Sequence, residues 1–392
     1  MVSRVSCYFV LLAAALVMYS SCRTASGSRN VDTFDSLVLH TEWKFSLYYS
    51  GVHEDHGTGD EVIFSGDPLT FKTVRVFDTS GRPLYDIPLA AVLDSLGDID
   101  GLTLLSKDRV FVLQNHGANY AIVDALGNVL EIHSLDSVLC ANGKDLYSLY
   151  VDSKGIGVLG NVIFLSASWY GPCVDTSEAP FDPLAYYSVE TRMCKLARLD
   201  LSSTEEDLRF WGCDMLAHLG KGTYHTAGST GASILGGRIF VSSLYSPDLI
   251  EVDTGTLEVI RRVPLSHVNG AVGITPPQAN LEDEANDGAN TRIGTRAYVS
   301  DMVIDRPSGR LLVIVPHEVP EDSPPEKQRA SRDWSVVVLD PSLAIINEFV
   351  LQGTAYRSGA ILGLKSGTWV MRSESGIQGA LKPKVFHRLL IP

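Results

Sequence analysis

Four histidines stand beside turn- or loop-forming residues: His116, His225, His267 and His317. Imidazole changes charge near neutral pH, so such residues suit general acid–base work or metal ligation. Asp100, Asn269 and Asp301 add oxygen donors of the kind that hold a hard divalent cation. Each histidine taken alone is more often a loop residue bonding backbone. The strongest acidic run is Leu281-Glu282-Asp283-Glu284-Ala285-Asn286-Asp287-Gly288. Its carboxylates suit Ca²⁺, but Ala285 and Gly294 occupy the third and twelfth positions of a loop starting at Asp283, which breaks the EF-hand pattern. Tyr224-His225-Thr226-Ala227-Gly228-Ser229 puts Ser near His without the GxSxG elbow of a hydrolase. No GxGxxG opens a helix after a strand, and no CxxC or Cys/His spacing suits zinc. No cofactor is required by these patterns; Ca²⁺ or another divalent ion is the one they leave open.

The elements that would position these residues form a repeat. A short apolar strand ends in Asp, passes two or three turn residues and enters a second, alternating strand. It recurs at Val74–Asp78, Tyr120–Asp124, Leu196–Asp200, Leu249–Asp253 and Val336–Asp340. Asp bonds its own turn backbone and Gly supplies positive φ, so these aspartates are turn formers and not catalysts. From the second copy onward a further hairpin precedes each unit, with turns such as Ser106-Lys107-Asp108, Leu235-Gly236-Gly237 and Lys365-Ser366-Gly367. Period-2 alternation argues strand throughout. Two hairpins in series make one four-stranded blade. The blades run roughly 60–89, 101–135, 155–212, 232–265, 300–351 and 357–391. Ser36–Leu39 or Trp43–Leu47 would complete the last one and remove its free edge. The fold expected is an all-β, six-bladed β-propeller; seven blades is the alternative if residues 34–73 form one of their own. Ala90–Leu96 and Asp214–Leu219 are the short helical candidates.

Blade geometry sorts the connections. With strands A to D numbered from the axis outward, the A–B and C–D turns share one end and are short. The B–C and D–A connections share the other end and are long. Long loops on a rigid scaffold carry binding. That end gathers His116, Trp169, Tyr170, His225, Tyr245, His267 and His317, and the insertion 171–187. It is the expected ligand or partner face.

The N-terminus has the layout of an export signal. Arg4 precedes an apolar run of about 13 residues, Val5–Val17, closed by Tyr19-Ser20-Ser21-Cys22. The roughly 20 residues of a bilayer-spanning helix are not reached, so cleavage is expected. The run into small residues and Cys resembles the bacterial lipoprotein signal, in which the Cys becomes the lipidated N-terminus. Tyr19 departs from it, standing where Leu is usual; cleavage near Ser26 is the other reading. On the first reading residues 1–21 are the signal, 22–33 a polar tether and 34–392 a single propeller domain. The mature chain then has 31 basic against 46 acidic side chains, a net charge of −15. An acidic body with no basic cluster excludes nucleic acid as a partner. Cys140, Cys173, Cys194 and Cys213 remain. Cys173 and Cys194 could staple the insertion, or all four could stay free thiols.

The paired hairpins and this start resemble the TolB-like six-bladed propeller lipoproteins of Bacteroidota, over the whole mature chain. The resemblance implies a membrane-anchored envelope protein and transfers no catalytic residue. Surface-exported lipoproteins of that group often carry acidic residues after the Cys. Arg23-Thr24-Ala25-Ser26 stands there instead, which implies an outer-membrane protein facing the periplasm. A binding or scaffold role is favoured, with an envelope protein or glycan as partner and the membrane held through the lipid. The alternative is a metal-dependent hydrolase or lyase, since lactonase-like propellers hold a divalent ion at the axis; here Asp100, His225, Asn269 and Asp301 lie near inner-strand starts. Labelled palmitate should enter the wild type and not Cys22→Ala; equal labelling of both would remove the anchor.

Overall fold

The apolar residues of these strands leave no solvent face. In β7 (below), Val110 and Val112 point to one side and Phe111 and Leu113 to the other, and all four are buried. A sheet apolar on both faces needs a neighbour on each. The computed structural model of the chain describes residues 31–41, 49–55, 58–67, 70–114, 119–135, 147–150, 157–169, 196–203, 207–211, 232–235, 238–243, 246–265, 297, 299–320, 322–324, 332–373 and 383–391. They form six antiparallel sheets in a ring, a six-bladed β-propeller.

The described residues open with β1 (Val31–Leu39), which overlaps the last three residues of the segment read as tether. The first blade is β2 (Ser50–Glu54), β3 (Glu61–Gly66), β4 (Thr73–Phe77) and β5 (Pro83–Pro88). Helix α1 (Ala90–Leu96) leads to the second: β6 (Ile99–Ser106), β7 (Arg109–Gln114), β8 (Asn119–Asp124) and β9 (Val129–Ser134). The third has an inner strand in two pieces, β10 (Tyr147–Tyr150) and β11 (Val158–Leu159). Both pieces pair with β12 (Val162–Trp169), followed by β13 (Leu196–Asp200) and β14 (Asp207–Trp211). The fourth is β15 (Ala232–Leu235), β16 (Arg238–Ser243), β17 (Ser246–Asp253) and β18 (Val259–Pro264). The fifth is β19 (Asp301–Asp305), β20 (Arg310–Pro316), β21 (Trp334–Leu339) and β22 (Ile345–Leu351). The sixth is β23 (Tyr356–Leu364), β24 (Gly367–Arg372) and β25 (Lys384–Leu389), with β1 as its outermost strand. Val31 pairs with Leu389 and Leu39 with Lys384. Of the two closing segments expected, the one containing Ser36–Leu39 does the work. The first blade begins at Ser50, earlier than the expected 60.

The core is six seams. Val76 and Ile87 meet Leu104 and Val112 between the first and second blades. Phe240 and Leu249 meet Val313 and Val337 between the fourth and fifth. The last seam packs Leu37, Leu39 and Trp369 against Ile63 and Phe77, so the sixth blade touches the first and the ring is closed. Each fully buried Phe or Leu in a seam contributes about 1.5–3 kcal/mol.

The turn aspartates do what their spacing predicts. Asp124 Oδ1 accepts from the Leu126 and Asn128 backbone N–H groups at 2.9 and 2.8 Å. Asp340 Oδ1 accepts from those of Ser342 and Ala344 at 2.8 and 2.9 Å. The Asn128 side chain holds the Asp124 carboxyl below its ordinary range, and the Ser342 hydroxyl does the same for Asp340. These C–D turns also join blades. A Cβ on Gly81 would collide with the Val38 carbonyl of β1, and one on Gly127 with the Pro88 carbonyl of β5. Arg261 of β18 donates from Nη1 to the Ser342 carbonyl at 2.6 Å, in the next blade's C–D turn. Gly81→Ala meets both a left-handed φ of +86° and a backbone collision. It should cost more than about 2 kcal/mol by denaturant unfolding. Gly309→Ala, at φ +65° with open space around it, should cost about 1 kcal/mol; equal losses would mean the joint is not there.

Candidate functional site

The topology places the A–B and C–D turns at one end of the ring and the B–C and D–A connections at the other. Their chemistry differs. At the short-turn end, A–B turns of several blades are tied together around the axis. Arg306, in the turn after β19, pairs with Glu54 and with Glu61 Oε1, the latter at 3.1 Å. Lys365, between β23 and β24, reaches Glu54 Oε1 at 2.7 Å and donates to the Gly59 carbonyl at 2.6 Å. Lys107 Nζ contacts Asp60 Oδ2 at 2.5 Å. The Lys365 hydrogen bond holds Glu54 below the usual carboxylate range, while burial pushes Glu61 up. Charges from the fifth, sixth, first and second blades are thus committed to one another there.

The long-connection end presents half-buried polar groups backed by buried ones. His317 follows β20. Its Nε2 lies 2.8 Å from Ser335 Oγ, and that hydroxyl donates to Glu348 Oε1 at 2.7 Å. The chain crosses three strands because Val315 pairs with Ser335 and Val337 with Glu348, which places all of them on one side of the sheet. Burial lowers the His317 pKa, with Asp333 opposing and Arg332 assisting. Burial raises Glu348, whose Oε2 is buried without a partner. Since Ser335 donates to the carboxylate, His317 supplies the proton of its own bond. The serine is fully buried between the two groups and links them as a hydrogen-bond relay. One blade on, the Tyr356 hydroxyl lies 3.1 Å from His387 Nδ1, and Trp334 Nε1 donates to the Tyr356 carbonyl at 3.0 Å. In the second blade Gln114 bridges the Leu96 carbonyl at 2.7 Å and the Asn119 amide at 2.6 Å.

Of the residues expected at this face, the structure places His317 in the relay and Trp169 at the end of β12. His116, Tyr170, His225, Tyr245 and His267 lie outside the described residues, as do Cys22 and the four body cysteines. Asp301 begins the inner strand β19; it is buried and its Oδ1 accepts from the Met302 N–H at 2.8 Å. Asp100 lies in the inner strand β6, and Asn269 is outside the described residues. Among the described residues no three His, Cys, Asp or Glu side chains converge as a metal site. Ser335, Glu348 and His387 were not singled out in the sequence. Each sits in an alternating strand, where period-2 position is the one signal that would pair Glu348 with the face of Ser335.

No protein-family model and no curated protein matches the chain. Solved structures do. A Bacteroides vulgatus member of the DUF4221 family superposes with a TM-score of 0.70 at 14% identity, over 91% of this chain and 96% of that one. The fold is shared. A Bacteroides fragilis protein described as exported has a TM-score of 0.45 at 9% identity, over 91% and 94% of the two chains. A luciferin-regenerating enzyme has 0.45 at 13%, over 90% and 95%.

His317 and His387 are both held below the ordinary 6.5 by burial. The unfolded chain therefore takes up their protons first as pH falls, and stability should drop below about pH 6.5 until the folded imidazoles titrate. Denaturant unfolding at stepped pH should show this fall, and His317→Gln should flatten it; an unchanged slope would mean His317 titrates normally.

Proposed function

We propose that this chain is a membrane-anchored propeller of the cell envelope whose long-connection end binds a partner, an envelope protein or a glycan. One observation carries the reading: the two ends of the ring are chemically unlike. At the short-turn end side chains are spent on their own turns and on ion pairs between blades. At the other end, half-buried His317 and Tyr356 are held in place from behind by Ser335, Glu348 and His387. Side chains preset by buried partners bind without first being ordered. Trp169 and Tyr170 belong to the same set of connections, and aromatic side chains dominate such contacts. Export and lipidation at Cys22 follow from the N-terminal pattern, and the periplasmic side of the outer membrane from the residues after it. This role needs no cofactor.

A photo-crosslinking residue at Glu318 or Gln352 tests it in living cells. Protein or glycan adducts should form from these positions and be lost with Tyr356→Ala or His317→Ala. Equivalent adducts from Asp108 or Ser342 at the short-turn end, or none from Glu318 and Gln352, would overturn the reading.

A further inference from the structure

The outer hairpins share a feature beyond the turn aspartate. In the first blade Phe77 pairs with Pro83 and Val76 with Tyr85, which leaves Leu84 as an extra, unpaired residue. In the second, Val123 pairs with Val129 and Ile122 with Glu131, leaving Leu130. Ile260 is left out in the fourth blade and Ile346 in the fifth. Each is a β-bulge at the second residue of the outer strand. A residue of positive φ stands three positions before it: Gly81, Gly127, Leu257 or Leu343. A bulge re-aims the side chain it carries. Here it aims an aliphatic one outward four times: Leu84 is 43% exposed, Leu130 50%, Ile260 50% and Ile346 45%. Single exposed leucines are ordinary on protein surfaces. A device repeated in register in four blades is not scatter.

All four lie at the short-turn end, where the outer strands begin. The remaining exposed large apolar residues of the described chain extend the same set. Leu126 is in a C–D turn, Leu390 follows the last residue of β25, Val259 precedes Ile260, and Ile132 is two places past Leu130. The turn carboxylates of the same hairpins, Asp78, Asp124, Asp253 and Asp340, are turned onto their own backbone amides, while Glu131 beside Leu130 pairs with Arg109 and His133, and Asp86 with Arg75.

The chain also enters at this end. Val31 pairs with Leu389, beside Leu390, on the outermost strand of the sixth blade. Eight residues separate it from Cys22, a reach of about 30 Å at full extension. A globular chain of this length has a radius of gyration of about 21 Å. A lipid on Cys22 therefore holds the short-turn rim nearer the bilayer than the opposite end, which lies a strand's length, roughly 30 Å, further on.

We infer that the aliphatic bulges form a membrane-resting rim: Leu84, Leu130, Ile260 and Ile346 contact the lipid surface to which Cys22 tethers the chain, and the long-connection end points away from it. This rests on the anchor put forward above. The apolar rim supplies contact area and the lipid supplies residence, a two-signal arrangement stronger than either part.

The test uses the acylated full chain on vesicles of phosphatidylethanolamine and phosphatidylglycerol containing a diazirine-bearing acyl chain. After illumination and digestion, lipid adducts are mapped by mass spectrometry, and the mass of the Cys22 peptide is read in the same digest. Adducts are expected in 82–88, 128–133, 258–262 and 344–348. They should fall about tenfold when Leu84, Leu130, Ile260 and Ile346 are all replaced by Ser, with acylation and thermal unfolding unchanged. Adducts at 317–320 or 352–356, or none at the rim of an acylated chain, would overturn the rim and leave the anchor standing. A Cys22 peptide without acyl chain would overturn the anchor, and the rim with it.

Discussion

Everything in this fold depends on the sheets being apolar on both faces. Strands such as Arg109–Gln114 and Trp334–Leu339 send alternate side chains into two different seams, and neither seam can be left to water. An open row of such sheets would expose two apolar faces at its ends. The ring removes both by packing Leu37, Leu39 and Trp369 on Ile63 and Phe77. The outer edge is handled separately. C–D turns press on the outer strand of the preceding blade so closely that Gly81 and Gly127 leave no room for a Cβ.

Closure fixes what each end can do. The short turns must be tight, so their residues are chosen for backbone geometry and their charges are spent locally. The connections between blades have no such limit. They run over the other end, and there the polar residues on seam-facing sides of strands come within reach of loop side chains. His317, Ser335 and Glu348 form one such line, two half-buried groups joined through a buried hydroxyl.

Most of the fold was legible because its signals are local. The Asp-turn spacing repeats five times, and each copy can be read without knowing what packs on it. The inner strand of the third blade was half missed: Tyr147–Tyr150 stands apart from Val158–Leu159, and neither segment alternates long enough to announce itself. The site was less legible. His317 could be found because histidine beside a loop is conspicuous. Glu348 could not, since its neighbour across two strands is set by register, and register needs the whole blade. The bulges escaped for the opposite reason. Leu84 and Ile346 look like ordinary strand residues until the slipped pairing shows that they face outward.

The strand that closes the ring comes before all the other described strands in the sequence. Among the described residues Val31–Leu39 pairs with Lys384–Leu389 alone, more than 340 positions later. During synthesis this strand waits for Lys384–Leu389, while the blades between can pair within themselves as they appear. Assembly is therefore sequential for five blades and all-or-none for the sixth. A chain that stops short of residue 384 keeps an unpaired first strand, an apolar rung whose backbone donors and acceptors are open to any other edge.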